Sequence, residues 1–259
     1  MLLAIDVGNT DIVIGMFEEL RLVRNWRLGT AAGRSSDEYA ALLQQLLAMS
    51  SLRFEDVTHA ILSCVVPQIE WKIVHMIEDY CSITPLVVGP GIKTGIRVLY
   101  DNPKEVGADR IVNAVAALDK YPGPLILVDF GTATTFDALG ADGSYMGGAI
   151  APGLNISMEA LFQSASKLPR VQFAKPESVI GRDTVASIQS GLFYGYVGMV
   201  DEIIDRMSQE LGQGVRVLAT GGLGKLIASA SRHIGQVDNL LTLQGLRIIH
   251  ERNRKPGTP

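Results

Sequence analysis

Two spacings of apolar residues alternate along this chain. Short β-like runs at residues 2–8, 11–18 and 20–28 are separated by polar turns and predict three consecutive strands. Ser35 followed by Glu38 has the form of a capping box, and beyond it Tyr39, Leu42, Leu43, Leu46 and Leu47 fall on one helical face. A strand at residues 60–65, a helix after Pro67 and a short strand at 86–88 follow. Residues 89–104, with Gly, Pro and Asn102-Pro103, read as a long loop, and 109–118 return to helical spacing through Ile111, Val112, Val115 and Ala116. The second half repeats the order. Strands are expected near 124–130, 133–139 and 144–151, then a helix after Gly153. Irregular chain at 165–182 precedes a long helix at 184–211, a strand at 215–219, a helix from Leu223 and a last helix at 241–252. Three strands followed by alternating helices and strands, twice over, predict an α/β protein. Tyr121-Pro122-Gly123-Pro124 marks the junction, so the expected domains are 1–118 and 119–259.

Composition narrows the function classes. Of 259 residues, 47% are hydrophobic and 19% charged, enough apolar content for two cores. A net charge of −4 and a pI near 5.6 give no basic face for nucleic acid. The basic stretch Arg252-Asn253-Arg254-Lys255 reads as a solvated end. Cys64 and Cys81 make neither a disulfide framework nor a Cys-x-x-Cys pair, which fits a reduced, cytoplasmic setting. The apolar start reaches Asp6 too soon for a signal peptide, and no run approaches the roughly 18 residues of a membrane span.

The candidate chemistry lies in a duplicated turn. Asp6-Val7-Gly8-Asn9-Thr10 recurs as Asp129-Phe130-Gly131-Thr132-Ala133-Thr134, each copy between two β-like runs. A carboxylate at a strand end, a Gly in the turn and a hydroxyl beside it are what a metal–phosphate group needs. One copy alone is more simply an ordinary hairpin; two at matching points suggest a duplicated unit facing one cleft. Thr134 and Thr135 are also ordinary sheet residues. Ala219-Thr220-Gly221-Gly222 stands between a predicted strand and helix, either as a plain connection or as a close approach for an anion or ribose hydroxyl at a helix N-terminus. Gly107-Ala108-Asp109-Arg110 opens a helix, where Asp109 is either a cap or a general base, with Arg110 available to a carboxylate or phosphate. Tyr100 and Asp101 lie just upstream. There is no Walker-type phosphate loop and no dinucleotide fingerprint, and His59, His75, His233 and His250 lack metal-ligand spacing.

These motifs resemble the actin, Hsp70 and sugar-kinase superfamily, whose members pair two RNase H-like domains across an interdomain cleft. Within it, Gly107-Ala108-Asp109-Arg110 and Gly147-Gly148-Ala149-Ile150-Ala151-Pro152-Gly153 are similar to the type III pantothenate kinase family. The resemblance covers nearly the whole chain and implies ATP-dependent phosphorylation of pantothenate at its primary hydroxyl, the first step toward coenzyme A. It implies that Asp6, Val7, Gly8, Asn9, Thr10, Asp11, Ile12 and Val13 bind the ATP phosphates, with Asp6 serving Mg²⁺, and that Thr132 contacts ATP. By the same resemblance Asp109 accepts the hydroxyl proton, and Tyr100, Gly107, Ala108, Asp109, Arg110 and Thr184 contact pantothenate. Asp129 is implied to hold a monovalent cation, K⁺ or NH₄⁺. The family forms homodimers, and the glycines at 191, 195 and 198 are the expected face for close helix packing. Superfamily relatives that cleave polyphosphate use similar turns, but a hydrolase needs a positioned water where Asp109 is aimed at an acceptor hydroxyl.

Overall fold

The computed structural model describes residues 1–165 and 167–254, so Lys255 of the basic end lies outside the described residues. The chain divides into two compact units. One comprises residues 1–96, 101–116 and the chain from Leu240; the other comprises residues 97–100 and 117–239.

In the first unit β1 (Leu2–Val7), β2 (Asp11–Glu18) and β3 (Arg21–Gly29) form an antiparallel meander. Helix α1 (Ser36–Ala48) follows, with both hydrogen bonds of the Ser35–Glu38 capping box in place. Strand β4 (His59–Cys64) then pairs parallel to β1, α2 (Pro67–Cys81) starts on its proline, and β5 (Leu86–Val87) completes a sheet of order β3-β2-β1-β4-β5. Leu3, Ile5 and Val7 of β1 and Ala60 and Leu62 of β4 pack under α1 and α2. The alternate residues Leu2, Ala4 and Ile61 face the other side, where they meet Val112 and Val115 of α3 (Ala108–Lys120).

The second unit repeats the plan. Strands β6 (Leu125–Phe130), β7 (Ala133–Leu139) and β8 (Tyr145–Pro152) form the meander, and α4 (Leu154–Ser164) and α5 (Thr184–Leu211) follow. Strand β9 (Arg216–Gly221) pairs parallel to β6, and after α6 (Gly224–Ala228) the edge strand β10 (Gln236–Val237) gives the order β8-β7-β6-β9-β10. Both units are RNase H-like, with one central strand flanked by an antiparallel neighbour on one side and a parallel neighbour on the other.

Some details differ from the sequence reading, among them the edge strand β10, which apolar spacing does not predict. Strand β9 runs on through Thr220 and Gly221, because Asp129 and Phe130 continue to pair with them. The last helix, α7 (Leu241–Asn253), which a boundary near 118 groups with the second half, packs on the first sheet through Leu243, Leu246, Ile248 and Ile249. Its Gly245 passes so close to α3 that a Cβ there would lie 2.0 Å from the Val112 carbonyl oxygen. An amphipathic pattern predicts a helix and its buried side, but not which sheet receives it. Among the described residues no helix is long and apolar enough to cross a membrane.

Candidate active site

Each unit brings a carboxylate to the end of its central strand. In the first, Asp6 sits one residue before the end of β1, between Val13 on β2 and Ser63 on β4. The turn beyond it is closed by a hydrogen bond from Gly8 N to Asp11 O (2.9 Å), and a Cβ on Gly8 would stand 3.1 Å from that oxygen. Asn9 and Thr10 are exposed at its tip, whereas the side chains of Val7 and Ile12 are buried, so only their backbone can meet a ligand. Asp11 is held at the surface by Arg27 (2.7 Å). Thr30, not singled out by the sequence, braces the turn: its hydroxyl donates to Gly8 O (2.7 Å) and its N–H to Thr10 O (2.9 Å). Thr30 lies 22 positions from Gly8, and no local signal connects them.

On the α3 side of the same sheet, Asp109 lies in the first turn of that helix, three residues before Val112, which packs on the strands. Its Oδ1 accepts from Arg110 N (2.8 Å), and Arg110 is buried at 7% exposure. Desolvation pushes the Asp109 carboxyl above its ordinary range, against the opposing pull of the Arg110 N–H and guanidinium. Such a group is a stronger proton acceptor than a solvated aspartate. Gly107 makes room for it: a Cβ there would lie 2.5 Å from Asp109 Oδ1. Gly107 is not at positive φ, so an alanine fits the backbone and collides only with the carboxylate. Gly107→Ala is therefore expected to lower kcat by about 10²-fold, the scale of a 1 Å misplacement, with the thermal midpoint retained. Unchanged kcat would show that the carboxylate position is not set there.

In the second unit Asp129 pairs with Thr135 on β7 and with Thr220 on β9. Thr132 is half-buried in the turn, while Thr134 is fully buried with its hydroxyl bonded to Tyr196 and serves packing. Gly153 presses on this turn: a Cβ there would lie 2.2 Å from Thr132 O. Gly221 closes the other side at φ +91°, where a Cβ would meet Phe130 O at 2.6 Å and Asp129 Oδ1 at 2.8 Å. Gly221 thus packs directly on Asp129. The helix that follows has only 5 residues, so the expected helix N-terminus contributes little. Backbone access remains, because Gly222 is open.

Tyr100 belongs to this unit. Its neighbours Arg97 and Leu99 exchange backbone hydrogen bonds with Tyr145, and its ring lies 6.5 Å from the Tyr145 ring and beside Gly147. The Tyr145 hydroxyl donates to the buried Asp137 (2.7 Å). Asp101 is exposed. Thr184, also exposed, opens α5 next to its cap Asp183, which accepts from Ala186 N (2.9 Å). Asp6, Asp109 and Arg110 therefore share one unit, and Tyr100, Asp129, Thr132, Thr184 and Gly221 the other. Among the described residues no group of three or more His, Cys, Asp or Glu could hold a metal alone. A single partly exposed carboxylate such as Asp6 suits Mg²⁺, which takes one or two carboxylates and fills its shell with phosphate and water.

A model of the family described as type III pantothenate kinase matches residues 2–206. The type III pantothenate kinase of Pelobacter propionicus is 59% identical over 98% of this chain and 100% of its own length. That of Myxococcus xanthus is 58% identical over 98% and 99%. Among solved structures, a protein assigned as a 2-dehydro-3-deoxygalactonokinase from Sinorhizobium meliloti superposes with a TM-score of 0.62 at 14% identity, covering 100% of this chain and 99% of its own. That likeness concerns the fold.

Proposed function

The chain belongs to the type III pantothenate kinase family, and on that premise we propose how its residues divide the work of the reaction. The activity is phosphoryl transfer to an alcohol, the phosphorylation of pantothenate that leads to coenzyme A. Phosphoryl transfer calls for positioning and charge neutralisation more than covalent help. In our reading the first turn, Asp6 to Val13, cradles the ATP phosphates through backbone N–H groups and the exposed Asn9 and Thr10, and Thr132 meets the nucleotide from the second turn. Asp6 serves Mg²⁺, which offsets phosphate charge when bound. Asp129, with Gly221 packed against it, serves K⁺ or NH₄⁺.

Asp109 takes the proton from the primary hydroxyl of pantothenate, and Gly107, Ala108, Arg110, Tyr100 and Thr184 hold that substrate. The observation that carries this reading is the desolvated Asp109 carboxylate, seated in a space that only a glycine at 107 leaves open. We also read the chain as a cytoplasmic homodimer. Cys64 and Cys81 are free thiols, Met146, Ile150, Ile156, Val179 and Ile180 are exposed, and a Cβ on Gly191, Gly195 or Gly198 would meet nothing within 4 Å.

A coupled assay of ADP release tests the division of labour. ADP release is expected to require pantothenate and to fall when Na⁺ replaces K⁺, and Asp129→Ala in K⁺ is expected to reproduce the Na⁺ rate. Release at the same rate without pantothenate would indicate a phosphohydrolase instead. Equal rates in the two salts would remove the cation from Asp129.

A further inference from the structure

The two sheets repeat one pairing that the sequence motifs do not contain. Asp129 on β6 stands in register with Thr220 on the parallel strand β9, and Asp6 on β1 stands in register with Ser63 on the parallel strand β4. In both units a hydroxyl residue buried to 5% exposure or less flanks the strand-end carboxylate. Thr220 belongs to a recognisable Thr-Gly-Gly segment. Ser63 stands in an apolar run and looks like a tolerated small core residue.

Its environment says otherwise. Ser63 is fully buried, and its Oγ has no hydrogen-bond partner among the described residues. A buried hydroxyl in that state costs about 1–3 kcal/mol, and native structures rarely keep one without a reason. Leu2, Ala4 and Ile61 define the α3 face of the sheet, and the alternation of strand side chains puts Asp6 and Ser63 on that face with them. Across the other edge of β4 the register of Leu62 with Val87 continues to the apolar Val88. Along β4 the nearest residues on the same face are Ile61 and Val65. Asp6 is the one polar side chain among these strand neighbours, about 4.8 Å away in strand spacing, within reach of a rotation about the Ser63 Cα–Cβ bond.

We propose that Ser63 is a positioning residue for Asp6: its hydroxyl donates a hydrogen bond to the Asp6 carboxylate and fixes the rotamer from which that carboxylate serves the metal-bound nucleotide. The inference rests on the reading of Asp6 as the Mg²⁺-serving carboxylate. Asp6 is partly exposed at a strand end. A donor fixed by burial beside it would orient the carboxylate at the moment when two anionic groups, carboxylate and phosphate, share one cation. The apparent waste of a buried hydroxyl then has a use.

The test measures ADP affinity by calorimetry with Mg²⁺ and with EDTA, and takes the ratio of the two dissociation constants, a readout independent of turnover. Asp6→Asn is expected to abolish the Mg²⁺-dependent tightening. Ser63→Ala is expected to weaken it about tenfold, the scale of one hydrogen bond to a charged group, and thermal denaturation checks that the variant is folded. The double variant is expected to bind like Asp6→Asn alone. Ser63→Thr keeps the hydroxyl and should retain more of the tightening than Ser63→Cys; this pair decides the matter if Ser63→Ala folds poorly. Full tightening in Asp6→Asn would overturn the assignment of Asp6 itself. Loss in Asp6→Asn with full tightening in Ser63→Ala, or an additive double variant, would overturn the role of Ser63 and leave that of Asp6 standing.

Discussion

Asp109→Asn is expected to lower kcat by about 10²–10⁴-fold, the usual contribution of a general base, and at the same time to make the protein more stable at neutral pH. Both effects come from one cause. Burial raises the Asp109 carboxyl above 3.8, so holding it ionised in the folded state costs free energy. The sign follows from the order of ionisation. As pH rises from 3.8, the unfolded chain ionises this group first, and the folded state loses relative stability until pH exceeds the raised value. Above that the cost is complete. An asparagine carries no such cost, yet it accepts no proton. Steady-state kinetics, nucleotide affinity and thermal denaturation of the two proteins check this together. Nucleotide affinity should survive, the thermal midpoint should rise, and the acid limb of kcat/KM, placed above the ordinary aspartate range in the wild type, should vanish from the residual activity. Near wild-type turnover would end the general-base role, and a lower midpoint would mean that the carboxylate is compensated by more than Arg110.

Gly221→Ala is expected to distort the turn that carries Asp129. At φ +91° an L side chain is strained by about 1–3 kcal/mol, and this one would also stand 2.6 Å from Phe130 O and 2.8 Å from Asp129 Oδ1. Relief requires β9 to separate from β6 at the point where Asp129 is held. A lower thermal midpoint, weaker nucleotide binding and loss of the difference between K⁺ and Na⁺ should therefore appear together. Gly222→Ala is the matched control: its Cβ meets nothing within 4 Å, and it is expected to leave all three unchanged. Equal behaviour of the two variants would dissociate Asp129 from Gly221.

Much of this was legible in the sequence, for physical reasons that differ by element. The meanders, the capped helix α1 and the long α5 announce themselves through local periodicity and caps, which depend on residues a few positions apart. The duplicated turn was legible because a strand end, a Gly and a hydroxyl have to be contiguous to act together. The placement of Thr30, Ser63 and Gly153 beside the two turns was not legible, because it is created by contacts between segments distant in sequence: Thr30 bonds Gly8, Ser63 flanks Asp6 and Gly153 leaves room for Thr132. The end of β9 was misplaced for a related reason. Two glycines read locally as a turn, but the ladder to β6 holds Gly221 in the sheet.

The placement of α7 carries a consequence for how the protein is made. The second unit is formed mainly by one continuous stretch, 117–239, and can assemble as soon as that stretch has left the ribosome. The first unit's face of Leu2, Ala4, Phe17 and Ile61 receives Val112 and Val115 of α3 early, but the rest of its cover only when Leu243, Leu246 and Ile249 have been synthesised. The unit that carries Asp6 and Asp109 is thus completed only after the stretch 117–239 between its parts has been made, and until then part of its apolar face stays open to unwanted association.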